Sequence, residues 1–530
     1  MTKRVFKGGA CRDQLGFLPP SMDDYVGRDN PVRAIDAFVC GLDLRQLEFR
    51  NAQYDGGPGQ PPYDPADLLK LYLYGYLNRV RSSRGLAREA ERNIEVIWLL
   101  GGVRPGYRTI ANFRKSNGRA LKAANRNFVV LMRELGLVGG TLIAIDGAFF
   151  DGDASKASIK SRKRLGEELA AIDRDIEAYQ REIEAGDAQE EKTSSPADGD
   201  GREADDVARK VAALMEKRAR RQATLELLEQ SGETQLSTTD ADARRLSKRG
   251  QVVVGYNVQI AVDKEYKLIV ASEVVNDGND TGQLFARAEA AKEALEVETL
   301  EVVADAGYYN GPVLKQCEDN GIVAYVPAVK RTARLEAQGR FTHENFAYEA
   351  AQNVYRCPAG MSLLPTKTPK INGGRRETVY LSRKATCDAC PLRTRCLSPK
   401  ARTRTIYRWE HEDVIERHSL RMEQAGDRMS RRASLAEHPF GTLKCRAGYR
   451  HFLVRGFSKV RGEWSLMALC YNFGRVLSIL GFDGFMRGLA RLTRAILRIL
   501  VRTIDPARHP PMRNSPHLAE NLRLCRSAYV

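Results

Sequence analysis

The chain has 530 residues, of which 43 % are hydrophobic, and a formal net charge of +17 at neutral pH. This composition excludes a disordered protein, and the length predicts about three domains. No run reaches the roughly 18 uncharged apolar residues of a membrane span, and the N-terminus lacks the apolar core of a secretory signal, so we predict a cytoplasmic protein without membrane association.

Residues 1–138 are predicted to form an all-helical, basic domain. Apolar residues recur at helical spacing from Val32 to Leu42. A loop with four prolines follows, and Asp64 and Pro65 then give the cap and first position of the next helix. The excess of arginine, which recurs along the whole chain, favours a polyanionic partner and makes double-stranded DNA the expected ligand rather than a small molecule.

The most basic part of this domain is the segment 79–115. Within it, the residues GGVRPGYRTIANFRK are compatible with the turn and recognition helix of a helix-turn-helix. The alternative is a three-helix bundle with basic outer faces. Phosphate contacts need exposed cations. The predicted DNA-binding residues here are Arg79, Arg81, Arg84, Arg108, Arg114 and Lys115.

From residue 139 to residue 330 the pattern changes to short, β-branched, apolar runs separated by turn residues. The order is three strands, a helix, a strand, a helix and a strand. This order predicts a mixed α/β sheet, which we interpret as an RNase H-like catalytic core. Residues 160–245 interrupt it with a predicted helical hairpin, whose apolar stripe begins at Leu165 and Leu169.

Two of the predicted strands end in an aspartate followed by a small residue and a turn. Asp146 stands in AIDGAFF and Asp305 in VVADAGYYN. Either could be a turn former, as we expect Asp151 and Asp153 to be. The repetition favours a shared role, because reactive groups collect where the strands of an α/β sheet leave the core.

A third carboxylate, Glu437 in AEHPFGTLK, lies between arginines and Lys444. Three carboxylates brought together repel one another unless a cation separates them. Mg²⁺ or Mn²⁺ prefers such oxygen ligands, and a pair of ions about 4 Å apart supports phosphoryl transfer. Asp146, Asp305 and Glu437 are therefore the predicted metal ligands.

These three motifs resemble the carboxylate motifs of bacterial insertion-sequence DDE transposases. The closest group is the one called insertion sequence eleven-eighty-two, within the four/five superfamily. The segments YDPADLLKLYLYGYLNRVRSSRGLAREAERN, VGYNVQIAVD and VVNDGNDTGQL resemble further parts of that family, so the likeness covers roughly residues 15–480.

The resemblance implies a DDE transposase that binds the terminal inverted repeats of its element, cleaves DNA with divalent metal and transfers the freed strand to target DNA. It implies a nucleoid-associated bacterial enzyme that acts as a homodimer on DNA. Asp146, Asp305 and Glu437 would form the triad. Lys444 has the family's six-residue gap after the glutamate, whereas Arg432 is offset by one residue and Met429 replaces a tyrosine. A transposase-derived DNA-binding protein without cleavage activity and a metal-dependent nuclease are the alternatives.

The rest of the chain divides into three predicted segments. Residues 331–405 form a cysteine-containing insertion, residues 406–482 a helical completion of the catalytic core, and residues 483–530 a basic amphipathic helix with a polar tail. A structural zinc site, reduced unpaired cysteines and a redox role are all compatible with four cysteines of the insertion. These are Cys357, Cys387, Cys390 and Cys396.

Overall fold

A computed structural model describes residues 21–54, 60–190, 201–248, 250–329 and 332–503. The predicted polar tail beyond residue 503 lies outside them. The N-terminal unit is helical, as predicted, and Asp64 caps its second helix by accepting a hydrogen bond from the backbone N–H of Ala66 at 2.8 Å. Its described α-helices are α1 Pro31–Cys40, α2 Pro65–Leu77, α3 Ser83–Arg92, α4 Ile94–Leu99, α5 Tyr107–Ser116 and α6 Gly118–Glu134.

The next part of the chain forms a mixed sheet. Its elements are β1 Leu142–Asp151, β2 Ile159–Ser161, α7 Arg162–Glu190, α8 Gly201–Ser231, β3 Gln235–Ser237, β4 Arg244–Lys248, β5 Gln251–Asp263, β6 Ile269–Val275, α9 Leu284–Leu295, β7 Leu300–Val303, α10 Gly311–Asp319 and β8 Ile322–Tyr325. The strand order is β4-β5-β1-β7-β8, and β6 also pairs with β5. β1 runs antiparallel to β5 and parallel to β7, and β7 runs parallel to β8. The predicted succession of strands and helices is confirmed.

The insert between β1 and β5 is a hairpin of two long helices, α7 and α8, as the stripe predicts. Leu165 and Ile172 of that stripe are buried, and Arg218 of α8 pairs with Asp173 of α7 at 2.5 Å. The end of the insert differs from the prediction. β3 pairs with β2 to close the base of the hairpin, and β4 joins the main sheet, so the sheet resumes at Arg244, slightly before the predicted boundary.

The cysteine-containing segment forms a second sheet, which the sequence pattern did not predict. Its elements are α11 Ala333–Ala337, β9 Ala347–Glu349, β10 Val354–Arg356, β11 Ser362–Pro365, β12 Lys370–Asn372, β13 Arg375–Leu381, α12 Lys384–Asp388, α13 Arg393–Cys396 and β14 Thr405–Trp409. The strands pair in the order β12-β13-β11-β10-β9, with β14 on β13. Tyr355 and Tyr380 lie at the centre of a core of its own. Because β14 belongs to this sheet, the segment continues past residue 405.

Three helices complete the described structure: α14 Glu412–Glu423, α15 Asp427–Phe440 and α16 Phe457–Thr503. α16 breaks at Gly481, where φ is 67° and ψ is 170°, which coincides with the predicted start of the last segment. Residues 457–491 are long and apolar enough to cross a membrane by composition alone, but 56 % of the apolar window is buried inside the protein. Such burial is typical of the core helix of a globular protein.

The core of the N-terminal helices is continuous with that of the sheet, because α16 packs against both. On one side, Trp464 donates a hydrogen bond to the Ser272 hydroxyl of β6 at 2.8 Å. On the other, Phe473 packs against Phe38 and Phe128, with ring centroids 5.9 and 5.6 Å away. The predicted division at residue 138 therefore does not coincide with a break in the core.

A buried ionic cluster lies at this junction. Glu463 of α16 is fully buried, and its Oε1 lies 3.0 Å from Arg81 and 3.4 Å from Arg114. Oε1 also accepts the Tyr76 hydroxyl at 2.9 Å, and Oε2 accepts the backbone N–H of Leu453 at 2.8 Å. One carboxylate thus compensates two buried guanidinium groups of the N-terminal helices.

Replacing Glu463 by Ala should lower the free energy of unfolding by about 3–5 kcal/mol, because it leaves buried guanidinium charge uncompensated. Urea denaturation followed by circular dichroism measures the change. Asp319→Ala, which removes an exposed partner of Lys315, is the control and should have no measurable effect. Equal stability of the two variants would contradict this role for Glu463.

Candidate active site

Asp146 lies in the middle of β1, and Asp305 lies two residues beyond the end of the adjacent parallel strand β7. The register pairs Leu142 with Glu301 and Ala144 with Val303, and its continuation by two residues sets Asp146 beside Asp305. Paired positions on neighbouring strands lie about 4.8 Å apart. The two carboxylates predicted to act together are thus brought together by the sheet.

The side chains of both aspartates are held by the backbone just after them. Asp146 Oδ1 accepts the N–H of Gly147, and Asp305 Oδ1 accepts the N–H of Gly307, each at 2.8 Å. Both side chains are half-buried. These contacts fix one oxygen of Asp146 in the middle of β1 and one oxygen of Asp305 just beyond the end of β7, which helps to explain why an acid is tolerated after an apolar run.

Glu437 lies on α15, a helix that packs against β1 and β7. Side chains alternate along a strand, so Asp146 shares a face with Ala144, and Asp305 shares it with Val303. Leu435 and Ala436 of α15 pack against Ala144 and Val303 in one small apolar cluster. Glu437 directly follows that contact and is exposed. Within the described part of the chain, no three Asp, Glu, His or Cys side chains stand close enough to hold a metal ion as they are.

The end of α15 places Lys444 beside the first strand. Pro439 lies inside the helix, one residue before its end, and the segment Gly441–Arg446 that follows is a π-helix. Proline lacks the N–H that an α-helix needs, and π-helical turns often mark functional positions. Lys444 Nζ donates to the backbone oxygen of Phe149 at 2.5 Å and lies 4.3 Å from the ring centre of Phe150.

A buried polar group that the sequence reasoning missed lies near the two aspartates. It consists of Asn257, Gln259, Asp280 and Tyr308, all buried. The pKa of the Tyr308 hydroxyl is raised well above its ordinary value, first by burial and then by the carboxylates of Asp280, Asp146 and Asp305. The sequence does contain a sign of this group, because Asn257 and Gln259 are polar residues of β5 at positions where a buried strand normally carries apolar ones.

The cations predicted to bind DNA fall into two sets. Arg81 and Arg114 are buried against Glu463, so their side chains do not fit the predicted phosphate contacts, and we interpret them as structural. Arg432 is partly exposed on α15. The remaining predicted cations are exposed on the surface of the N-terminal helices, namely Arg79, Arg84, Arg108 and Lys115.

The four cysteines of the second sheet line one small cavity of about 30 Å³. They come from two separated places, since Cys357 follows β10 and the other three belong to α12, α13 and the loop between them. All four are free thiols. Burial raises the pKa of Cys396, and the thiols of Cys387, Cys357 and Cys390 raise it further. Cys387 also contacts the Ser382 hydroxyl at 3.0 Å.

Neighbouring carboxylates repel each other when no cation lies between them, and this repulsion lowers the stability of the folded protein. Asp305→Asn should raise the melting temperature in EDTA by about 1–2 °C, because the amide can still accept the Gly307 N–H while the repulsion from Asp146 is removed. Differential scanning fluorimetry measures it, with Asp319→Asn as the exposed control. A lower melting temperature for Asp305→Asn would contradict the close approach of the two carboxylates.

Comparison with known families adds independent findings. A family model described as Transposase domain (DUF772) matches residues 20–116, which cover the first five helices. A model described as Transposase DDE domain matches residues 356–477, which include Glu437 and Lys444.

One solved structure, described as the cryo-EM structure of a piggyBac transposase synaptic complex with hairpin DNA, aligns over 93 % of this chain and 85 % of its own length. The identity is 8 % and the TM-score 0.30, and a likeness this weak carries no argument. A comparison with curated proteins finds no match. The chain is therefore similar to transposases over residues 20–116 and 356–477, and the second of these matches is to a DDE domain of such enzymes.

Proposed function

We propose that this protein is an insertion-sequence DDE transposase, which binds the terminal inverted repeats of its element, cuts the DNA there and joins the freed end to target DNA. The proposal is supported by the position of Asp146 in β1 beside the parallel strand β7, which Asp305 follows, and by the packing of α15, the helix of Glu437, on the same two strands. The strand order, with three antiparallel strands followed by two parallel ones, supports the predicted RNase H-like core. Assignment to the insertion sequence eleven-eighty-two group stays a prediction.

The donor chemistry of the site fits Mg²⁺ or Mn²⁺, because carboxylate oxygens are the ligands that hard divalent cations prefer. Asp146, Asp305 and Glu437 would hold the ions. When bound, such ions activate a water or a 3′-hydroxyl and stabilise the departing oxygen.

The side chains of the site have separate roles in the proposed reaction. Asp146 and Asp305 supply negative charge at a fixed separation, since each is anchored by the backbone N–H beyond it. Lys444 supplies positive charge beside β1, where it can meet a DNA phosphate. Water attacks phosphorus and the P–O bond to the 3′-oxygen breaks. The resulting 3′-hydroxyl then attacks a target phosphodiester, whose own 3′-oxygen departs.

The DNA interface that we propose uses the exposed cations of the N-terminal helices, Arg79, Arg84, Arg108 and Lys115, with Arg432 nearer the catalytic acids. Each could neutralise a phosphate, and the net charge of +17 favours approach to DNA over long range. The continuous core through α16 keeps these helices in a fixed position relative to the catalytic sheet. The protein is further proposed to act as a homodimer on DNA in the bacterial nucleoid, without membrane association.

Purified protein, element-end DNA and Mg²⁺ or Mn²⁺ test the proposal. The wild type should nick the element end and yield joined products, whereas Asp305→Asn should reduce both to background because a ligand charge is lost. DNA binding in EDTA should be unchanged in that variant, and Asp319→Asn should behave as wild type. Gel electrophoresis of labelled DNA measures all three properties.

The outcomes separate the candidate functions. Nicking without joined products would favour a metal-dependent nuclease, and binding without cleavage would favour a DNA-binding protein derived from a transposase. Cleavage retained by Asp305→Asn would remove the site assignment.

We also propose a structural zinc ion at the four cysteines. The support is that Cys357, Cys387, Cys390 and Cys396 line one cavity with room for a single ion or water molecule. Four thiolates are a complete ligand set for structural zinc, although binding requires the thiols to move closer together than they stand here. Bound zinc would then link α12 and α13 to the loop after β10 through the cysteine side chains.

Elemental analysis of gently purified protein should give about one zinc ion per chain. Cys387→Ser combined with Cys390→Ser should lose the metal and lower the melting temperature. Cys40→Ser, which removes an exposed thiol elsewhere, should retain it. A zinc content near zero in the wild type would favour reduced unpaired cysteines instead.

A further inference from the structure

A fourth acid is buried close to the catalytic aspartates. Asp280 lies in the loop between β6 and α9, and only 5 % of it is exposed. A buried carboxylate is costly unless hydrogen-bond donors compensate it. Its Oδ1 accepts the side-chain amide of Asn257 at 2.9 Å and that of Gln259 at 2.7 Å, both from β5. These two amide groups compensate the burial of one oxygen of Asp280.

The contact with Asp280 fixes the orientation of the Gln259 amide. An ionised carboxylate only accepts hydrogen bonds, so the NH₂ group of Gln259 must face Asp280 and its oxygen must face away. That oxygen accepts the Tyr308 hydroxyl at 2.5 Å. Tyr308 ends the short 3₁₀ turn that Asp305 caps. A chain of two hydrogen bonds therefore runs from Asp280 through Gln259 to the turn after Asp305.

The same group lies directly against the residue after Asp146. Gly147 is paired with Gln259 in the sheet, and a Cβ atom at Gly147 would come within 2.3 Å of Gln259 Nε2 and 2.8 Å of Asp280 Oδ1. A Cβ atom at Gly307 would lie 2.9 Å from Asp305 Oδ1 and 3.9 Å from Asp280 Oδ2. Asp280 thus lies close to the residue that follows Asp146 in β1 and to the turn that follows Asp305.

We propose that Asp280 is a positioning residue of the DDE site, which sets the part of β1 that carries Asp146 and the turn after Asp305 through Gln259 and Tyr308. This inference rests on the proposed metal-dependent function of those aspartates. Asp280 also adds a negative charge behind the pair, which raises the attraction of the site for a divalent cation. Groups that orient metal ligands from behind typically change metal affinity or activity by about 10–100-fold when they are altered.

The test compares Asp280→Asn with wild type as Mn²⁺ is titrated. Two signals are followed: the rise in melting temperature that Mn²⁺ produces, which reports binding without catalysis, and nicking of element-end DNA. Asp280→Asn should need about tenfold more Mn²⁺ for half of either effect, while it binds DNA in EDTA as the wild type does. Asp263→Asn is the matched control, because Asp263 is equally buried at the opposite end of β5, and its Mn²⁺ response should equal that of the wild type.

Tyr308→Phe provides a second variant in case Asp280→Asn does not fold. It keeps the charge of Asp280 and removes only the hydroxyl that ends the hydrogen-bonded chain, so it should also shift the Mn²⁺ response, by several-fold. A wild-type Mn²⁺ response in either folded variant would overturn the role of Asp280. If wild-type protein itself shows neither stabilisation by Mn²⁺ nor cleavage, the proposed function fails and not this inference alone.

Discussion

The parallel pairing of β1 with β7 is the constraint on which the rest of the site depends. It brings Asp146, in the middle of β1, towards Asp305, which lies 159 positions later in the chain (146 to 305) and two residues beyond β7. Two neighbouring negative charges disfavour each other in the absence of a cation. Backbone N–H groups nevertheless hold one oxygen of each acid. The helix α15, which carries Glu437, packs on Ala144 and Val303 of the same two strands.

The long helix α16 connects the N-terminal helices with the main sheet. It packs against the N-terminal helices and the sheet at once, so the two parts share one core. Glu463 of this helix binds Arg81 and Arg114, while Arg81 also donates to the backbone oxygen of His451 at 2.6 Å. Residues 450–452 in turn pair with Asp151, the last residue of β1. These contacts therefore link the N-terminal helices to β1, the strand that carries Asp146, so that a structural change in the helices can be transmitted to it.

Much of the fold could be predicted because local chemistry decides it. Alternating apolar runs, turn residues and capping residues gave the order of strands and helices in the main sheet, and the apolar stripe gave the hairpin. The second sheet was missed because its strands are only three to seven residues long and show no regular alternation of buried and exposed residues, so neither length nor hydrophobic alternation marks them. Arg81 and Arg114 were misjudged for a related reason: a basic segment shows how many charges exist, and only packing shows which of them face solvent.

By itself, the sequence determined the kinds of chemistry available here: three acids in motifs, a lysine after the last of them, four cysteines and a surplus of arginine. Only the tertiary structure decided which of these groups meet. The register between β1 and β7 brings Asp146 towards Asp305. The packing of the helices buries Arg81 and Arg114 against Glu463. The loop after β6 carries Asp280 close to Gly147, directly after Asp146, and to the turn after Asp305. The physical reason is that distances between residues far apart in the chain are set by packing of whole elements, which no local pattern contains.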